Sequence, residues 1–166
     1  QYAYGLDITS SFTGEDLLYA GIEAGNASGP LANMDSAVEG GNDLSVNSLF
    51  YSFPVGDNLE VTSGPLLDQD DVLSATTSAY SGSFRLGAMP FSEAGEETGP
   101  GIAVAYSNDN GVVASASLIS VGGASATTGL NADDADDVTT FTFGYDGDGF
   151  GGGIAIASND GDGGTT

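Results

Sequence analysis

Thr139-Thr140-Phe141-Thr142-Phe143-Gly144-Tyr145-Asp146-Gly147-Asp148-Gly149-Phe150-Gly151-Gly152-Gly153-Ile154-Ala155-Ile156-Ala157-Ser158 decides how the chain is read. Thr139, Phe141, Phe143 and Tyr145 alternate with Val138, Thr140, Thr142 and Gly144. After Asp146-Gly147-Asp148-Gly149, Phe150, Gly152, Ile154 and Ile156 alternate with Gly151, Gly153, Ala155 and Ala157. Period-two alternation on both sides of an Asp/Gly turn predicts a β-hairpin. Rings and branched aliphatics share one face; hydroxyls and bare glycine backbone share the other.

Three earlier pairs follow the same plan. Strand one is expected from about Tyr2 to Ser11, with Tyr2, Tyr4, Leu6 and Ile8 opposite Ala3, Gly5, Asp7 and Thr9. Thr13 to Asp16 turns the chain into a strand from about Leu17 to Ala24, which places Asp7 and Glu23 on the polar face. A third strand spans about Leu44 to Phe53, with Leu49, Tyr51 and Phe53 apolar-side and Ser48 and Ser52 opposite; Val46 and Phe50 break the alternation. Pro54 to Asn58 turns into Leu59 to Ser63, which sets Glu60 and Thr62 against Leu59 and Val61. The fifth and sixth strands, Gly101–Ser107 and Val112–Ser120, flank Asn108-Asp109-Asn110-Gly111, a strong hairpin turn.

Turns within hairpins are short, whereas the connections between hairpins are long and acidic. An apolar outer face, a small polar inner face and this alternation of loop length are the pattern of an all-β, antiparallel up-and-down transmembrane β-barrel. About eight strands are expected. Closed on themselves, they would make a narrow, side-chain-filled barrel. The inward Gly, Ser and Thr fill such an interior poorly, so a larger barrel is favoured. The chain opens on Gln1-Tyr2-Ala3-Tyr4, already inside an alternating pattern, and stops at Gly163-Gly164-Thr165-Thr166. The expectation is a β-barrel domain over 1–166 that is a piece of a longer protein.

Composition narrows the function. The chain has 166 residues, 24 Asp plus Glu, one cation (Arg85) and a net charge of −23. Nucleic acid is excluded as a partner, because phosphate binding needs clustered Lys and Arg. Without His, Cys or Lys, the usual general base, thiolate and Schiff-base chemistries are missing, and no enzyme activity is expected. No resident cofactor is expected; the acidic loops offer only loose Ca²⁺ or Mg²⁺ binding. Asn26-Ala27-Ser28 matches a glycosylation sequon, a pattern short enough to arise by chance.

The longest irregular stretch is Gly64 to Thr98, and a loop of that length is often functional. Its Asp68, Asp70 and Asp71 place negative charge there, with Asp70 expected to cap a short helix. Arg85 is the candidate to face them across an opening. Folded into a lumen, this loop would narrow a water-filled path whose wall adds Asp7, Glu23 and Glu60, and such carboxylates favour cations. An alternative reading is a secreted acidic, Gly-rich β protein that binds calcium through Asp146–Gly149 and Asn159–Gly164. It lacks the nine-residue period of calcium-binding repeats.

Ser10-Ser11-Phe12-Thr13-Gly14-Glu15-Asp16-Leu17-Leu18 and Ile22-Glu23-Ala24-Gly25-Asn26 resemble early barrel strands of cyanobacterial outer-membrane porins. So do Leu49 to Asp57, the Gly64-Pro65 pair and Gln69-Asp70-Asp71. This family is related to the carbohydrate-selective OprB-type porins, and some members are described as iron-uptake porins. The resemblance implies passive diffusion of small hydrophilic solutes and ions, contact with outer-membrane lipid, and a homotrimer. It also implies a barrel of about sixteen strands, preceded by a surface-layer-homology domain and a coiled coil. Neither upstream element lies within the 166 residues. Members carry more basic residues in the pore, so anion selectivity does not carry over.

Overall fold

The computed structural model describes residues 1–34, 36–75, 98–121, 123 and 137–159. Eight strands form one antiparallel sheet in the order β1 to β8, each paired with its neighbours in sequence. They are β1 (Ala3–Ser10), β2 (Leu17–Gly25), β3 (Gly41–Val55), β4 (Leu59–Asp68), β5 (Thr98–Ser107), β6 (Val112–Ser120), β7 (Asp137–Gly147) and β8 (Phe150–Asn159). The only helical pieces among the described residues are 3₁₀ turns at Gly29–Asn33 and Asp70–Val72. The sheet is not closed into a barrel, and β1 and β8 are its two edges.

Register assigns the faces, because directly opposed residues share one. Asp7 lies opposite Gly21, Thr9 opposite Tyr19 and Gly5 opposite Glu23. Ser52 pairs with Thr62, Ser115 with Thr142 and Ser117 with Thr140, and Gly144 with Gly153. These residues make the inner face. The outer face carries Leu6, Val104, Phe141, Phe143, Ile154 and Ile156, all exposed.

The usual distribution of a sheet against a core is therefore inverted. Ser48, Ser52, Thr62, Ser115, Ser117, Thr140 and Thr142 are buried, while the large apolar side chains are open. Two inner pairs of hydroxyls satisfy each other: Ser52 Oγ and Thr62 Oγ1 are 2.6 Å apart, and Ser115 Oγ and Thr142 Oγ1 are 2.5 Å apart. The buried Ser117 and Ser120 hydroxyls, by contrast, have no hydrogen-bond partner among the described residues. Among the described residues, one hydrophobic cluster, Phe50, Leu67, Val72, Ala103 and Ile119 with Tyr19 against it, lies on the inner side.

Three strands differ from the sequence reading for local reasons. β5 starts at Thr98 rather than Gly101. In β3, a bulge at Asn47 places Val46 opposite Ile22 while Ser48 stays opposite Gly21. The extra residue turns Val46 to the outer face and leaves Phe50 inside, where it stacks on Tyr19 with ring centroids 5.0 Å apart. β4 continues past Ser63 to Asp68, because Gly64 and Pro65 sit where the registers to β3 and β5 both shift. A proline is tolerated inside a sheet at such an irregularity, where no ladder N–H is needed. Asp68 is thus a strand residue, and the irregular segment begins at Gln69.

Neighbouring short turns are tied together. Gly111 has φ +82°, and a Cβ there would lie 2.6 Å from the Asp146 carbonyl oxygen. Asp146 N donates to Gly111 O at 2.7 Å, so only glycine fits between the third and fourth hairpins. At the opposite end, Tyr2 N donates to Asn26 Oδ1 at 2.8 Å. The asparagine of the sequon thereby closes the end of the first hairpin.

Candidate functional site: the inner face and its strap

Gln69 to Ala75 leaves β4 and crosses the inner face as a strap. Gln69 is fully buried, and its Nε2 donates to Thr140 Oγ1 on β7. Ser48 Oγ on β3 donates to Asp71 Oδ2 at 3.2 Å. Ser74 is held on β6 twice: its N donates to Ser115 Oγ at 3.1 Å, and its Oγ donates to Ala114 O at 3.0 Å. Val72 brings the strap's apolar side onto Phe50, Leu67, Ala103 and Ile119. A hydroxyl-rich face with a small apolar patch can accept such a segment, because most of its polar atoms gain partners as they are buried; Gln69 Oε1 is buried without one among the described residues.

Asp70 opens the 3₁₀ turn rather than capping it; the cap position is Gln69, whose side chain makes no capping bond, and the Asp68 carboxylate accepts the Asp70 backbone N–H instead. Asp71 keeps a solvent-exposed surface, yet the packing around it pushes its carboxyl above the usual range, with the neighbouring Asp70 carboxylate adding to the shift. The hydrogen bond from Ser48 opposes that rise.

The wall acids gather unevenly. Asp7 on β1 accepts the Tyr19 hydroxyl at 2.8 Å, and both Asp7 and Asp71 lie within electrostatic reach of Tyr19. Glu23 accepts Asn47 Nδ2 at 3.3 Å, a contact that the β3 bulge makes possible. Asp68 ends β4 opposite Thr98, beside Asp70 and Asp71. Glu60 stands apart, exposed near the short turn between β3 and β4 and opposite Pro54. Arg85, with the rest of the expected loop at 76–97, lies outside the described residues, as do Asp133–Asp136 and Asp160–Gly164. Among the described residues, no group of three or more His, Cys, Asp or Glu could hold a metal ion.

Sequence reasoning picked out the acids of the strap but not the residues that anchor it. Gln69, Ser74 and Ala75 look like ordinary loop residues, and their partners on β6 to β8 are far away in sequence. The one available signal was the pair of glycines at inward positions 144 and 153. Comparison with known proteins gave no matching family model, no matching curated protein and no matching solved structure.

Proposed function

We propose that this chain forms part of the wall of an outer-membrane diffusion channel. Its strands are part of a transmembrane barrel of about sixteen, as in porins of the kind it resembles. The channel passes small hydrophilic solutes and ions, favours cations, assembles as a homotrimer and sits in the outer membrane of a cyanobacterium.

The observation that carries this reading is the inverted sheet. Leu6 is 58%, Phe143 59% and Ile156 65% exposed, whereas Ser115 and Thr140 on the other face are 8% and 1% exposed. A soluble sheet buries its large apolar side chains; a barrel wall presents them to lipid. Outer aromatics support the same orientation. Phe12, Tyr51 and Phe53 cluster near the short-turn end, as do Tyr145 and Phe150. Tyr2 and Tyr4 stack at the other end, so the rings mark two levels, like interfacial belts. Open edges are not viable in hydrocarbon, so β1 and β8 pair with further strands. The strap lies where a constriction would narrow the path, and it brings Asp70 and Asp71, beside Asp68 at the end of β4, to a face that already carries Asp7 and Glu23. No Lys or Arg offsets them among the described residues.

Planar-bilayer recording tests the proposal, with the full chain and a potassium chloride gradient across the membrane. Stable conductance steps and a cation-selective reversal potential are expected. Protein shown to be folded and inserted that gives no steps would sink the channel reading.

A further inference from the structure

We infer that Gly144 and Gly153 form a socket that seats Ala75 and so fixes how far the strap projects from the wall. Its consequence for transport rests on the channel reading above. Gly144 and Gly153 are direct partners across β7 and β8. A Cβ built on Gly153 would lie 2.6 Å from the Ala75 Cβ, and one on Gly144 would lie 2.8 Å from it. Real Cβ atoms do not approach that closely, so the bare backbone at both positions is what admits the strap. No turn requires these glycines, since neither has a positive φ. Gly152, next to Gly153 but opposite Tyr145 on the outer face, has nothing within 4 Å of its would-be Cβ.

Ala75 is 7% exposed in this seat. The residue before it is fixed by the two Ser74 bonds to β6. The strap therefore meets the wall by polar contacts on β3, β6 and β7, and then by one steric contact at the β7–β8 pair. Gly144 and Gly153 act through Ala75 as positioning residues. Filling the socket lifts the strap toward the lumen and narrows what passes.

Gly153→Ala is the cleaner probe. Its new Cβ meets Ala75 first, with the Phe143 carbonyl oxygen next at 3.0 Å, whereas a Cβ on Gly144 would also press on the Gly152 carbonyl oxygen at 2.7 Å. Single-channel conductance of the full chain is recorded with polyethylene glycols of graded size, and circular dichroism checks that each variant keeps its sheet. Gly153→Ala is expected to lower the conductance and shift the exclusion cut-off to smaller polymers. Adding Ala75→Gly to the same chain is expected to restore both.

A second measurement does not need a conducting protein. The chain has no cysteine, so Ala75→Cys with Gly153→Cys introduces a single pair. The two Cβ positions lie 2.6 Å apart, closer than the about 3.5–4.5 Å that a disulfide spans, so the strap rises by roughly 1 Å as in Gly153→Ala. The pair is then expected to close a disulfide under mild oxidation, read as a mobility shift on a non-reducing gel. An unchanged or larger cut-off in Gly153→Ala, a change that Ala75→Gly leaves in place, or a cysteine pair that stays reduced overturns the inference. A disulfide that closes in a protein without conductance leaves the socket standing and removes the channel reading.

Discussion

Asp16 accepts hydrogen bonds from Ser11 Oγ at 2.6 Å, Thr13 N at 2.7 Å, Thr13 Oγ1 at 2.6 Å and Tyr51 Oη at 2.7 Å. The first three shape its own turn; the fourth ties that turn to β3. The Ser11 and Thr13 hydroxyls, followed by Tyr51, hold the carboxyl well below the usual carboxylate range, against the opposing effect of burial. A depressed folded-state value means that this contribution to stability is complete above the unfolded value, about 3.9, and is lost as the pH falls further. Asp16→Asn is expected to melt lower than the parent at neutral pH, with the gap closing only in strong acid; melting curves across pH check this. Asp71 has the opposite sign. Its raised carboxyl costs stability while ionised, and that cost disappears once the group is protonated in both states, below about pH 4. Asp71→Asn is expected to raise the melting temperature at neutral pH and to match the parent in acid. Equal melting curves at neutral pH would contradict the packing around this carboxyl and the nearby Asp70 charge.

The strands were legible where alternation was clean. Val112–Ser120 has the expected bounds, and the four hairpins pair in the expected order. The face assignments of β5 to β8 follow from period two alone. Legibility ended where a single residue changes the phase. Asn47 is an unremarkable polar residue in sequence, yet as a bulge it decides the face of Val46. The expected strands stop at Ser63 and start again at Gly101, yet β4 and β5 run through Pro65 and Pro100, because both prolines fall at the register shift between these strands. The strap's acids were visible, but its course was not, because the hydrogen bonds that fix it join residues up to 71 positions apart. Leu67 shows the energetic side of this arrangement. It is fully buried under the strap in the apolar cluster, so Leu67→Ala is expected to cost about 2–5 kcal/mol. Equilibrium unfolding in urea measures that loss; a change under half a kcal/mol would mean that strap and sheet do not form a packed unit.

At the scale of the whole molecule, the two faces of the sheet have exchanged their usual roles. Small hydroxyl residues are buried beneath the strap, and rings and branched aliphatics stand open. In lipid, a cation on the outer face is costly: Phe141→Arg, near the middle of β7, is expected to lose about 2–4 kcal/mol in a refolding assay into vesicles. In a water-soluble sheet the same change at a 56% exposed position would be nearly neutral. The most direct measurement of the central claim is collision accessibility of nitroxide labels on single cysteines, with the protein in lipid vesicles. Labels at Leu6, Val104, Phe141 and Ile154 sample the outer face of four strands, and labels at Asp7 and Ala105 sample the inner face. The account predicts frequent collisions with oxygen and few with a water-soluble nickel chelate at the four outer positions, and the reverse at the two inner ones. Free access of the nickel chelate to Leu6, Val104, Phe141 and Ile154 would place the apolar face in water and contradict the membrane wall.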